Sequence, residues 1–214
     1  MALQNRVTPR GDIIAHPARG TFMGNRGIIH EPKRKVLLTR RWQHQAWICC
    51  VLKFKDFQHP IMGESAYTEL FFLDEATALA AGHRPCAYCR RPAYNAFKAA
   101  WVAANLGANP GTNHSAFVPV ADMDRQLHRE RVTRQRQQIH FEAPIESLPD
   151  GAYILREQLP ALVHGNQLLP WSAHGYTTPQ ARPLCGNVTV LTPRSIVAAL
   201  REGYRCNVHA TALE

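Results

Sequence analysis

The chain contains no run of eighteen apolar residues, the length a helix needs to cross a bilayer, so no membrane-spanning helix is expected. It lacks G-x-x-x-x-G-K-[ST], G-x-S-x-G and H-E-x-x-H, which removes the P-loop NTPase, serine-hydrolase and zincin classes. No internal repeat or low-complexity tract interrupts it. The opening stretch "MALQNRVTPRGDIIAHP" breaks into polar and proline positions too early for a secretory signal, and the expectation is a soluble cytoplasmic protein. Acidic residues are few: 16 Asp and Glu stand against 25 Lys and Arg, leaving a net charge of +9. Arginine far outnumbers lysine, and its planar donors suit phosphate or carboxylate. A basic enzyme with no polyanion partner would show the same balance.

What is present supports a folded core. The 214 residues are 45% hydrophobic, enough for one ordinary domain or two small ones. In a reducing compartment the six cysteines (Cys49, Cys50, Cys86, Cys89, Cys185 and Cys206) read as metal ligands or free thiols rather than disulfides. "AWICCVLKFKDF" reads as a strand, and with "GTFMGNRGIIH" it forms a small β-element ending in paired thiols. "LDEATALAAG" reads as a short helix with Asp74 as N-cap and Gly82 as the left-handed residue beyond its end. A second helix starts near Pro92 and places Tyr94, Phe97 and Trp101 on one face. "GANPGTNHS" is a loop by composition. "DMDRQLHRERVTRQRQQIHF" reads as a polar helix with Met123 and Leu127 on a thin apolar line and arginines at 125, 129, 131, 134 and 136, either a solvated face or a phosphate-binding one. From Leu148 the short runs "GAYIL", "ALVHG", "QLLPW" and "NVTVL" indicate a small sheet or partial barrel. "TPRSIVAALREGY" closes the chain with a helix that Thr192 caps and Gly203 stops.

The motif "AGHRPCAYCRR" admits three readings: a redox pair, a zinc knuckle, or two thiols that happen to be close. A thioredoxin-type pair follows a strand and opens a helix, whereas the element before Cys86 is read as a helix. A zinc site needs two further ligands. His30, after a glycine turn, and Cys49 or Cys50, at a strand end, are the candidates; His83 is expected to point away from the knuckle.

The run "FFLDEATALAAGHRPCAYCRR" resembles the second half of the metal-binding domain of the bacterial Ada DNA-repair protein, with its helix, Gly-aromatic-Arg-Pro turn and C-x-x-C-[RK] knuckle. "FMGNRGIIHEP" resembles the variant of that domain in which a histidine replaces the first cysteine. The resemblance covers about residues 22–91 and implies one structural Zn2+ held by His30, Cys86, Cys89 and one more ligand. Arg34 stands where the second family ligand would be. Because adjacent strand residues face opposite ways, one of Cys49 and Cys50 can reach the metal, and Cys50 is chosen. The same segment is similar to an uncharacterised bacterial protein family with "GNRG-x-x-H", "W-I-x-C" and "GHRPC-x-x-CRR". In the Ada domain a zinc-bound cysteine at the first ligand position accepts a methyl group; with His30 there, the resemblance argues against methyl transfer.

The expected fold class is α+β: an Ada-like zinc-binding α/β region over 1–107, a loop and arginine-rich helix over 108–147, and a β-rich region with a terminal helix over 148–214. Phosphate contacts are expected from Arg90, Arg91, Arg125, Arg129 and Arg131, giving affinity with little sequence choice. The expected partner is nucleic acid, DNA favoured over RNA by the resemblance alone. Two other classes stay open: an enzyme using Asp124 and His128, four apart on one helix face, and an interaction module that zinc merely holds together. Cys185 and Cys206, each without a C-x-x-C partner, are read as buried thiols.

Overall fold

The computed structural model describes residues 2–55, 60–64, 67–106 and 118–213; the loop expected over "GANPGTNHS" lies outside them. The chain starts with the hairpin β1 (Gln4–Val7) and β2 (Ile13–Ala15), then β3 (Phe22–Asn25). A separate two-stranded ribbon follows, β4 (His30–Glu31) against β5 (Val36–Leu37). With β6 (Ile48–Val51), β7 (Leu70–Phe72) and β8 (Arg84–Pro85), the other three strands form a six-stranded sheet of order β2-β1-β7-β3-β6-β8. The strand read in "AWICCVLKFKDF" is shorter than its apolar run.

Between β7 and β8 lies α1 (Glu75–Ala80), every residue of which is buried. Its alanines permit close packing on two sides. Ala78 joins Val7, Leu70 and Phe72 of the first sheet, with Ile29 beside them, while Ala76 and Ala80 meet Tyr153, Leu162 and Leu169 beyond it. Asp74 caps the helix by accepting from the Thr77 N–H at 2.8 Å. At the other end Gly82 has φ +80°, its N–H donates to Leu79 O at 2.9 Å, and the His83 N–H donates to Ala78 O at 2.9 Å. These two bonds close a Schellman motif on the expected glycine.

Next come α2 (Arg91–Leu106), which buries Tyr94, Phe97, Trp101 and also Val102, and α3 (Val120–Arg131), which buries Met123 and Leu127. Helix α3 stops at Arg131; Val132 is extended, so Arg134 and Arg136 do not continue the helical row. The remainder is an open, seven-stranded sheet made of β9 (Phe141–Pro144), β10 (Tyr153–Arg156), β11 (Leu159–His164), β12 (Gln167–Ser172), β13 (Gly175–Tyr176), β14 (Gln180–Ala181) and β15 (Asn187–Val190). Its strand order is β13-β12-β11-β10-β15-β9 with β14 also on β12, and no closed barrel forms among the described residues. Helix α4 (Arg194–Arg201) then packs on α2 and α3. Thr192 does not cap it. The Thr192 hydroxyl accepts from the Tyr153 N–H at 2.9 Å, and Glu130 of α3 takes the cap role by accepting from the Ser195 N–H at 2.9 Å.

The class is thus α+β. The hydrophobic clusters draw on all three expected regions: Leu79, Phe97, Met123 and Leu200 share one, and Ala76, Tyr153 and Ala212 share another.

Candidate metal centre

Parallel pairing of β6 with β8 sets Ile48 opposite Arg84 and Cys49 opposite Pro85. One residue further, Cys50 and Cys86 become neighbours, fixed by a Cys86 N–H to Cys49 O bond of 2.9 Å. The turn into α2 returns Cys89 to the same place, so that the sulfurs of Cys50, Cys86 and Cys89 all lie within 4.8 Å of one another. A tetrahedral zinc with Zn–S of about 2.3 Å sets its sulfurs about 3.8 Å apart, within that limit. The Tyr88 N–H donates to Cys86 Sγ at 3.4 Å, a bond that favours thiolate. Hydrogen bonds from the Cys50 and Cys89 thiols, added to that N–H, hold Cys86 well below the usual thiol range, and the same bond to Cys86 pushes Cys50 up. Three thiols crowded around shared protons form a soft donor set that a zinc ion fits by displacing those protons.

Strand alternation decides between the paired cysteines. Cys49 faces the opposite way, fully buried beside Leu70 and Phe72, and accepts from Arg90 Nη1 at 3.4 Å. Cys50 turns to the metal position, lining a cavity with Met23, Phe54, Phe71 and Tyr88.

His30 does not join the sulfurs, which corrects the expected ligand set. Pairing of β4 with β5 directs it elsewhere, and its Nδ1 meets Thr68 Oγ1 at 2.6 Å and its Nε2 meets Gly63 O at 2.9 Å. Both ring nitrogens are therefore occupied in the buried interior. Arg34, in the place of the second family ligand, is exposed in the ribbon turn. Among the described residues no fourth His, Cys, Asp or Glu joins Cys50, Cys86 and Cys89.

The five expected phosphate-binding arginines divide. Arg91, Arg125 and Arg129 are exposed, Arg125 pairing with Asp122 on its own helix. Arg90 is buried instead, with Nη2 at 2.7 Å from the buried Glu75 carboxylate and its guanidinium on the Phe22 ring. It holds α1 to the knuckle and presents no charge to a partner. Arg131 is also buried, donating to Gly82 O at 2.7 Å and Gln45 O at 2.6 Å.

Asp124 and His128 do not form an acid–base pair. Arg84 grips the buried Asp124 in a fork, Nε to Oδ1 at 2.7 Å and Nη2 to Oδ2 at 2.9 Å, tying β8 to α3. His128 Nδ1 accepts from Arg131 Nη2 at 3.0 Å and packs edge-on against Trp42 and Trp47; burial and the Arg131 charge lower it to about 4. His83 is wholly buried, and its Nε2 accepts from Arg26 Nε at 3.2 Å, consistent with its exclusion as a ligand. Cys206 is half-buried, whereas Cys185 is exposed rather than buried, beyond the last contact of β14 with β12.

The sequence did not single out Arg26, Trp42 and Trp47, which pack around Arg131 and His128, although Arg26 lies in "GNRG" and Trp47 opens "W-I-x-C". No family model, curated protein or solved structure matches the chain.

Proposed function

We propose that the protein is a zinc-stabilised nucleic-acid-binding protein, related in its zinc region to the Ada metal-binding domain and serving in DNA repair. The observation that carries this reading is the convergence of Cys50, Cys86 and Cys89 on one point directly after a helix, a left-handed glycine and a C-x-x-C knuckle. The role of the zinc is to hold the fold, tying β6 to the turn that starts α2 through three sulfurs, with no fourth His, Cys, Asp or Glu beside them among the described residues. The net charge of +9 and the exposed Arg91, Arg125 and Arg129 supply sequence-independent attraction to phosphate. Methyl transfer is left out: the Ada route takes its nucleophile from the first ligand position, where this sequence carries His30, and His30 is turned away from the sulfurs toward Thr68 and Gly63. The engagement of Asp124 with Arg84, and of His128 with Arg131, favours binding over acid–base chemistry at those residues.

Filter binding of the zinc-loaded protein to duplex and single-stranded DNA and RNA over a salt series tests the reading. The logarithm of the binding constant should fall linearly with the logarithm of salt concentration, with similar affinity for unrelated sequences. Absence of binding at low salt, or binding indifferent to salt, would refute it.

A further inference from the structure

A second site lies away from the cysteines. The loop after β1, residues 41–47 and the segment that follows α3 enclose a cleft of 320 Å³, at the small end of the range of about 300–1,000 Å³ for small-molecule sites. Five arginines line it (Arg10, Arg26, Arg41, Arg131 and Arg136) against one acidic residue, Asp12.

The floor is unusual in its charge. Arg26 and Arg131 are 3% and 2% exposed, and neither has a carboxylate within ion-pair distance among the described residues. Their hydrogen bonds go to neutral acceptors: Arg26 to His83 Nε2 and Gly11 O, both at 3.2 Å, and Arg131 to Gly82 O, Gln45 O and His128 Nδ1. Arg131 Nε is buried with no acceptor. The two guanidiniums share a single indole, lying 4.0 and 3.9 Å from the Trp47 ring. Burial lowers both, Arg26 to about 9.

The same fold shows what it does with buried arginines that serve structure. Arg84 and Arg90 are as deeply buried, and each is matched to its own buried carboxylate, Asp124 and Glu75. Of the buried arginines among the described residues, only the two at the floor of the cleft lack a carboxylate within ion-pair distance, Asp12 and Asp124 acting on them only from further off. A buried charge without a counter-ion is costly, and an anion entering the cleft is the missing partner. At the rim Arg41 and Arg136 are exposed but held in place by bonds to Leu38 O at 2.8 Å and Thr39 O at 2.7 Å. Arg136 adopts a left-handed φ of +68° there. Several guanidiniums lining one cleft suit a multiply charged anion such as phosphate, which accepts from more donors than one carboxylate can. The half-buried Trp42 on the wall offers an aromatic surface beside it.

We infer that this cleft is a phosphate-binding site, with Arg26 and Arg131 at its floor and Arg10, Arg41 and Arg136 at its rim, sized for one nucleotide unit. The phosphate chemistry stands independently of the function proposed above; that reading supplies only its source, a nucleic-acid strand rather than a free phosphorylated small molecule.

The test uses the full zinc-loaded chain. Calorimetry and thermal unfolding are run with inorganic phosphate, pyrophosphate and a nucleoside monophosphate, against sodium chloride at equal ionic strength. Phosphate and pyrophosphate should bind and raise Tm where chloride does not. Arg10→Ala with Arg41→Ala, both exposed and remote from the core, should fold normally and weaken binding by about tenfold or more, since bonds to charged groups are lost. Arg26→Met should abolish the phosphate response and also lower the phosphate-free Tm, because His83 Nε2 and Gly11 O lose a partner, so the exposed Arg10, Arg41 double variant is the arm that separates binding from stability. Phosphate competition with a bound oligonucleotide would support the cleft and identify its source as nucleic acid. Phosphate binding without any oligonucleotide binding would support the cleft and refute the nucleic-acid reading. No phosphate-specific response, with oligonucleotide affinity unchanged in the Arg10, Arg41 double variant, would overturn the cleft and leave that reading intact.

Discussion

Cys49 and Cys50 are chemically identical neighbours with different fates, and a single strand explains both. Cys50 sits with Cys86 and Cys89, while Cys49 packs beside Phe72 and takes a bond from Arg90. Cys50→Ser or Cys86→Ser should therefore lose bound zinc by elemental analysis, with a large drop in Tm because thiolate ligation is coupled to folding; Cys49→Ser should keep it. His30→Ala should also retain zinc, and should cost about 1–3 kcal/mol in urea unfolding because the Thr68 hydroxyl and Gly63 carbonyl lose their buried partner. Zinc loss from that variant would restore His30 to the ligand set. Alternation along β6 was legible from the sequence. The placement of His30 was not, because the register of a two-residue ribbon, with His30 opposite Leu37, decides where the ring points and carries no local signal.

Among the elements, α1 was the most readable, since its N-cap aspartate, alanine-rich interior and left-handed glycine agree with one another. The same glycine reaches beyond the helix. A Cβ on Gly82 would lie 2.5 Å from Arg131 Cδ, and its carbonyl already accepts from Arg131 Nη1. Gly82→Ala should cost about 1–2 kcal/mol for left-handed strain alone. It should also displace Arg131 and weaken phosphate binding, an effect that calorimetry separates from stability. The end of α3 was less readable. Its five-arginine row looks continuous in sequence, yet the helix stops at Arg131, which turns inward to Trp47 while Arg136 returns to the cleft rim from a left-handed turn. Nothing local marks Arg131 for burial or Arg125 for exposure; contacts with Gln45 and Gly82, distant in the chain, make that choice.

At the scale of the whole molecule, two buried or half-buried histidines contribute to the response to acid. His83 and His128 are held below the ordinary value of 6.5, both by burial first and by neighbouring arginine charge second. The folded state keeps them neutral while the unfolded chain can protonate them, so the unfolded state binds more protons and stability falls as pH falls. The contribution is fully present above pH 6.5 and is lost as the pH drops toward about 4 for His128, with the His83 part continuing lower. Urea unfolding at pH 7.5 and 5 should show lower stability at 5, and His128→Gln should flatten part of that slope. An unchanged slope would mean His128 already titrates normally in the fold.

The two carboxylates at the head of α1 accept from residues made far later in the chain. Glu75 takes the Asn207 N–H, 132 residues on, and Asp74 takes the His209 N–H, 135 residues on. At the roughly 5–20 residues per second of protein synthesis, that interval is on the order of ten seconds. Cys50, Cys86 and Cys89 are all translated before it ends. The three cysteines therefore precede the residues that seal α1, and a metal could reach them while the helix that leads into the knuckle is still uncovered on its far side.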